Sequence, residues 1–413
     1  MSQAHTVSDP GSEPAALQAA PPPLATLVRR FDSTAIDVPG GRARIRLAVE
    51  MLGSWDFVID GSPTKLVPAA AGVEPDALLT ADSGAWQRIA DDIRGGMDAF
   101  RQGRLHVRRN LHLGVGFLAA TSGATGSERL SFASIRARST SISILAAGAG
   151  DPAVCIHGLG GTKASFLPTV SALADGYRVI ALDLPGFGDS DKPVAAAYDA
   201  PYFARKVRDL LDALEIGRAH LIGNSMGGRV AIELALTEPG RVGGVVLLSP
   251  ALAWLRERRF KWLLPTIVPR LGLIQPTPRA IAEPIVRRLI PGAEDGWAAA
   301  GVDEFLRAYF DPRGRAAFYT AARNIYMDEP HGERGLWTRL AQMSPETMFV
   351  WGRHDMLVPR QFRKHVERVL PAARHLELDC GHVPQVERPR ETHRAIRDFL
   401  AAFGPLGSAP TRR

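Results

Sequence analysis

Cysteine is scarce: the 413 residues carry only two, Cys155 and Cys380, far apart in the chain. That excludes a disulfide framework, and no Cys/His pair stands at zinc-ligand spacing. Both thiols are expected to stay reduced, and neither a metal nor a cofactor is expected. Long apolar runs are missing as well, and none reaches the roughly 18 residues a membrane-crossing helix needs. The N-terminal MSQAHTVSDPGSEPAALQAAPPPLATL has no apolar stretch behind a basic cluster, so no secretory signal is expected. The net charge of +7 is scattered rather than gathered into a stripe, which argues against nucleic acid as a partner. A cytoplasmic protein is expected, one that at most touches a membrane surface peripherally through its basic character.

What is present is an ordinary globular balance, 46% hydrophobic and 23% charged, over a length that suggests two domains. Residues 1–24, rich in Ala, Pro and Ser, read as a disordered tail. TSGATGS, residues 121–127, is small and polar, and a linker is placed at 123–128. Residues 404–413 read as a second tail. No internal repeat is evident.

Between the first tail and the linker, Ala43, Ile45, Leu47 and Val49 alternate with polar residues, the signature of a half-buried strand. Ser54–Asp60 predicts a second strand with a turn at 61–63, and Ala77–Ala81 a third. Asp82 or Ser83 caps a helix through Trp86, Ile89 and Ile93. Gly103–Arg108 alternates again before an apolar helix over Leu111–Ala120. Strands with helices on one face make a small α+β domain over residues 25–122. SWDFVIDG, DALLTADSGAWQRIADD and DAFRQGRLHVRRNLHLG resemble the sterol carrier protein type-2 family. That resemblance implies lipid binding, with the last helix helping to roof a lipid tunnel, although Arg108-Arg109-Asn110 departs from the family's usual small residue and acid.

From about residue 129 to 403 apolar strands alternate with helices, the pattern of a mostly parallel α/β sheet. Polar residues cluster just after strand ends: HGLGG after Ala153–Ile156, DLPGFGDS after Arg178–Leu182, GRHD after Thr347–Trp351, and DCGH after His375–Leu378. In open sheets that edge is where ligands bind. LIGNSMGGRV, residues 221–230, fits a strand-to-helix elbow that lifts Ser225 clear, with Gly223 and Gly227 leaving room for the turn. A serine needs a base, and the order Ser225, Asp355, His382 supplies acid and base after successive strands.

These motifs resemble the α/β-hydrolase superfamily. The resemblance implies that Ser225 attacks a carbonyl, His382 takes its proton and Asp355 orients the imidazole. It implies further that the backbone N–H groups of Leu159 and Met226 form the oxyanion hole, and that a helical cap lies at about 251–343. The resemblance implies that His157 is a structural residue shaping the oxyanion turn; His354 reads as a loop residue, Asp183 and Asp189 as turn formers, and Asp379 as a strand-end residue competing with Asp355. The aromatics Trp254, Phe260, Trp262, Phe305, Tyr309 and Phe310, with Leu263, read mostly as the cap's own core. Arg256, Arg258, Arg259 and Lys261 read as a solvated basic patch.

HGLGGTKASF and LPGFGDSDKP resemble lipase-like members, which with the N-terminal resemblance makes a hydrophobic ester or lipid the expected small-molecule partner. The expected enzyme is a serine ester hydrolase of carboxylesterase or lipase type. WGRHDMLVP and CGH also resemble hydrolases of carbon–carbon bonds, from which Val383 after His382 departs. A cofactor-free perhydrolase or haloperoxidase on the same triad and a non-catalytic lipid carrier are the other readings.

Overall fold

A computed structural model describes residues 20–61, 64–91, 104–124, 129–255, 296–359 and 361–406, with isolated positions between them. The turn residues 62 and 63, Ile93, Gly103, most of the linker, and Phe260, Trp262, Leu263 and the Arg256–Lys261 patch lie outside the described residues, as do 1–19 and 407–413.

Helix α1 (Pro22–Arg29) opens on two prolines, whose fixed φ and missing N–H suit the first helical turn. Leu24 and Leu27 are buried, so this helix takes up residues 22–24 of the stretch read as a tail. The small sheet follows as β1 (Arg42–Val49), β2 (Gly53–Asp60), β3 (Lys65–Pro68) and β4 (Ala77–Ala81), then α2 (Ser83–Asp91), β5 (Leu105–Arg108) and α3 (Leu111–Thr121). Its order is β3-β2-β1-β4-β5, with β1 parallel to β4 and antiparallel to β2. Ala43, Ile45, Leu47 and Val49 alternate inward as their spacing requires. Asp82 Oδ1 accepts from Ala85 N at 2.7 Å, capping α2, and buried Trp86 donates to the Ala48 carbonyl at 2.9 Å. Strand β3, a four-residue edge strand, escapes the sequence reading because KLVP is too short to show a period.

The larger layer contains the hairpin β6 (Ser131–Ala137) and β7 (Thr140–Ala147), then β8 (Asp151–Ile156), α4 (Leu167–Leu173), β9 (Tyr177–Leu182), α5 (Ala200–Ala213), β10 (Ala219–Asn224), α6 (Met226–Thr237) and β11 (Val242–Leu248). Helices α7 (Gly296–Phe310), α8 (Pro312–Met327) and α9 (Leu336–Leu340) come next, followed by β12 (Thr347–Gly352), α10 (Gln361–Val369), β13 (Arg374–Leu378), α11 (Pro384–Glu387) and α12 (Pro389–Leu400). The sheet order is β13-β12-β11-β10-β8-β9-β7-β6. The pairs from β13 through β9 are parallel, whereas β7 is antiparallel to both β9 and β6. This is the α/β architecture expected from the sequence, with a small sheet domain ahead of it. The β6–β7 hairpin is the departure from strict strand–helix alternation.

Helix α3 determines how the two sheets meet. LHLGVGFLAAT has no polar stripe, and every residue from Leu111 to Thr121 is buried. A helix that is apolar all round must be covered on every side. One side lies on the small sheet and its approach, where a Cβ on Gly114 would come 2.4 Å from Val107 and one on Gly116 2.8 Å from Ile36. The other side meets β6, with the His112 and Phe132 rings edge-on at 4.9 Å. One apolar core therefore runs continuously from Leu24 through Phe117 and Phe132 to Phe399.

His112 sits in that junction with Nε2 donating to the Asp37 carbonyl at 2.7 Å and Nδ1 3.4 Å from Asp189. Burial, with the Lys163 and Arg307 cations nearby opposing the Asp189 carboxylate, pushes its pKa down to about 4. The unfolded chain takes up this proton near the ordinary value of about 6.5, so the folded state is favoured above that pH and loses stability as pH falls toward 4. The loss expected between pH 7 and pH 5 is about 2 kcal/mol from this residue. Urea unfolding midpoints at the two pH values measure it. His112→Gln should flatten part of the slope; His220, whose burial likewise lowers it to about 4, and His157, also held low by burial, contribute to what remains.

Candidate active site

The larger sheet reverses its winding direction at β8, which lies between β9 and β10. The loops after β8 and β10 are therefore neighbours at the strands' C-terminal edge, the place where open α/β sheets bind ligands. Ser225 follows β10 with φ 50° and ψ −117°, a conformation that L-residues seldom hold. A Cβ on Gly223 would lie 2.4 Å from the Gly227 carbonyl oxygen, and one on Gly227 2.0 Å from that of Ile156. Both glycines are thus required for the strand to turn into α6 this tightly. Met226 is the first residue of α6, so its N–H has no acceptor within the helix.

The β8 loop abuts the serine: a Cβ on Gly158 would lie 3.1 Å from Ser225 Cβ. Leu159 comes next, in a turn closed by Gly161 N donating to the Gly158 carbonyl at 3.0 Å. His157 shapes this turn. Its Nδ1 donates to the Gly158 carbonyl at 2.7 Å and its Nε2 accepts from Leu184 N at 3.0 Å. Burial holds the ring below its ordinary pKa, so it is a neutral spacer with both nitrogens engaged.

Asp355 and His382 come together through the β12–β13 pairing, with His382 Nδ1 donating to Asp355 Oδ2 at 2.8 Å. The other oxygen, Oδ1, accepts from Leu357 N at 2.8 Å and Val358 N at 3.0 Å. Burial works against the charge on Asp355, but the His382 contact and these N–H groups hold the carboxyl below its usual range. Asp379 lies elsewhere: it is largely exposed and accepts from His354 Nε2 at 2.8 Å.

Three supporting residues carry no sequence signal of their own. Asn224 Nδ2 donates both to the Leu248 carbonyl at 3.0 Å and to the His382 carbonyl at 3.1 Å, tying the elbow to the histidine loop. Glu387 accepts from Gly381 N at 2.7 Å and Val383 N at 2.9 Å, holding that loop from the other side. Lys163, buried four residues beyond Leu159, donates through Nζ to Asp183 at 2.6 Å and Asp189 at 3.0 Å. Each contact joins segments distant in sequence or uses a side chain of common type, so no motif announces it. Cys155 and Cys380 are buried free thiols, both pushed up by burial, Cys380 to about 12. Among the described residues no group of three or more His, Cys, Asp or Glu is placed to hold a metal ion.

Residues 153–395 match the model of the alpha/beta hydrolase family. The chain belongs to that family. As an alpha/beta hydrolase it is 31% identical over 261 residues to a 2-hydroxy-6-oxononadienedioate/2-hydroxy-6-oxononatrienedioate hydrolase of Paraburkholderia xenovorans, spanning 60% of this chain and 86% of the relative. It is 31% identical over 265 residues to a 2-hydroxy-6-oxo-6-phenylhexa-2,4-dienoate hydrolase of Comamonas testosteroni, covering 62% and 89% of the two chains. Among solved structures, a bacterial membrane phospholipase A superposes with a TM-score of 0.55 at 29% identity, covering 66% of this chain and 86% of that one. None of these matches accounts for the small N-terminal sheet as a sterol carrier domain. Among the described residues no helix of this hydrolase is long and apolar enough to cross a membrane.

Proposed function

We propose that this alpha/beta hydrolase cleaves a carboxylic ester of a hydrophobic or lipid substrate through an acyl-enzyme. Ser225 attacks the carbonyl carbon while His382 takes the hydroxyl proton; the proton then passes to the departing alcohol, and water, activated by the same histidine, releases the acid. Asp355 holds the imidazole tautomer and balances its charge. The N–H groups of Leu159 and Met226 receive the developing oxyanion, each worth on the order of 3 kcal/mol in the transition state.

The observation that carries the ester reading is the chemistry around the oxyanion loop. Gly160, beside Leu159, takes a positive φ of 74° beneath two cap aromatics: a Cβ there would lie 2.5 Å from Phe305 and 3.3 Å from Phe318. Met356 and Leu357, the residues after Asp355, are 94% and 66% exposed and add an apolar approach. Among the described residues, the cations around the elbow and this loop are already matched: Lys163 by Asp183 and Asp189, Arg229 by Glu233 and Asp328, and Arg307 by Asp189 and Glu304. They are poorly placed to meet a substrate carboxylate, which a dienoate carries. Carbon–carbon hydrolysis stays as the second reading because the relatives at 31% identity are dienoate hydrolases by name.

In the ester reading the N-terminal domain also holds or presents lipid. Phe57, with Phe31 and Phe117 at 4.8 and 5.2 Å, occupies that domain's interior, so a guest would have to displace or flank these rings. Turnover of p-nitrophenyl esters of increasing chain length, beside a 2-hydroxy-6-oxo-dienoate, tests the reaction. Ester hydrolysis rising with chain length is expected; dienoate cleavage without esterase activity would overturn the ester in favour of carbon–carbon hydrolysis. Native mass spectrometry of the full chain tests the lipid: a protein free of bound lipid, unable to take any up from vesicles, removes that part.

A further inference from the structure

The N-terminal domain reaches the cap through charges that the reaction itself does not use. On α7, Asp303 accepts from Arg108 Nε at 2.7 Å and Nη2 at 3.1 Å, a bidentate pair linking positions 195 apart in sequence. Its Oδ2 also accepts from the backbone N–H of Arg109 at 2.9 Å. Arg109 holds φ 71°, an unusual conformation for a non-glycine residue. The next cap residue, Glu304, accepts from Leu111 N, at the start of α3, at 3.3 Å, joining Asn110 Oδ1, which accepts from Leu113 N at 3.0 Å. An apolar helix from one domain thus begins on a carboxylate supplied by the other.

Helix α7 also faces the oxyanion loop. Phe305, directly after Asp303 and Glu304, lies over Gly160. Arg307, held by Glu304 at 2.5 Å, donates to Asp189 at 2.8 Å, and Asp189 in turn accepts from Lys163 of the oxyanion loop at 3.0 Å. His112 of α3 stands 3.4 Å from the same carboxylate. Asp303, Glu304 and Lys163 are buried, and the Asp189 side chain is only 6% exposed. Charge pairs of this kind, held away from water, are stiff and direction-specific.

We propose that the N-terminal domain is a clamp on the catalytic loop: Arg108 and Asp303 are positioning residues that fix α7, and through Phe305 and Arg307 fix the Leu159 turn where the oxyanion forms. In this role the domain sets the reactivity of Ser225 in addition to any lipid it presents. The kinetic part rests on the ester hydrolase reading; the mechanical part does not.

The test uses the full chain with Arg108→Ala, Arg108→Lys, Asp303→Asn and the double variant Arg108→Ala/Asp303→Asn. Arg108→Ala should lower kcat for a p-nitrophenyl ester about 10-fold with KM changed less than about twofold, and slow fluorophosphonate labelling of Ser225 in parallel. Arg108→Lys, which keeps the charge but not the fork, should recover part of the loss. The double variant should cost little more than either single change. A purely structural role would lower the unfolding midpoint and leave kcat of the folded enzyme alone, which overturns the proposal.

Hydrogen–deuterium exchange at residues 157–166 keeps the proposal separate from the reaction. Exchange there should quicken in Arg108→Ala, and unchanged exchange overturns the clamp whatever the enzyme turns over. If wild-type Ser225 resists the fluorophosphonate, the ester reading fails, while quickened exchange in Arg108→Ala still supports the mechanical link.

Discussion

Ser225→Ala is expected to lower ester turnover by about 10⁴-fold or more, with the fold intact and fluorophosphonate labelling lost. The change removes one oxygen from a residue already held at φ 50° and ψ −117°, so the backbone of the elbow need not move. The supports around it survive: Ser225 N still donates to the Leu248 carbonyl at 3.0 Å, and Asn224 still bridges Leu248 to His382. What disappears is the hydroxyl proposed to form the acyl-enzyme at this elbow. Residual activity is expected from the oxyanion donors and the apolar site alone, as is usual when a nucleophile is deleted. Steady-state kinetics with a chromogenic ester, beside a urea titration showing an unchanged midpoint, check both halves. A variant within tenfold of wild type would remove Ser225 from the mechanism.

Lys163→Met is expected to be the most damaging single change to stability, costing about 3–5 kcal/mol. Lys163 is 1% exposed and Asp183 not at all, and the carboxylate also accepts Lys163 N at 2.7 Å and Asp189 N at 2.8 Å. Burial alone would disfavour the ammonium, yet Asp183 and Asp189 hold the Lys163 pKa above its ordinary value. Asp189 is held well below the usual carboxylate range, against its own burial, by Lys163 and Arg307. Removing the lysine leaves Asp183 as a buried charge without a cation, the expensive half of breaking such a pair. Denaturant unfolding of the full chain measures the loss. Lys163→Met/Asp183→Asn should recover part of it, since no lone charge then remains; a single variant within 1 kcal/mol of wild type would sink the argument.

The strand-end motifs are legible because their chemistry is local. A nucleophile elbow consists of a strand, a turn and a helix within about ten residues, and Gly223, Ser225 and Gly227 carry its steric demands in their own side chains or lack of them. The order of Ser225, Asp355 and His382 is legible for the same reason, each following an apolar run that must be a buried strand. Helix α3 is legible as a helix, but its consequence is not. Eleven buried residues with no polar face require two partners, and the sequence names neither the small sheet nor β6. The β6–β7 hairpin is similarly illegible as antiparallel, because apolar alternation does not state strand direction.

By itself, then, the sequence determined the class of fold, the position of the elbow and the order of the residues that follow strands, since each depends on neighbours along the chain. The choice of Asp355 over Asp379 was already legible in the sequence, and His382 meets Asp355 as expected; tertiary structure alone decided that Asn224 and Glu387 hold the histidine loop, and that Lys163 is sealed by two carboxylates. It also decided that Arg108 pairs with Asp303 of α7 across 195 positions. Ion pairs and hydrogen bonds of this kind are selected by distance in space, and Arg, Asp and Glu are too common in the sequence for any pattern to say which of them will meet.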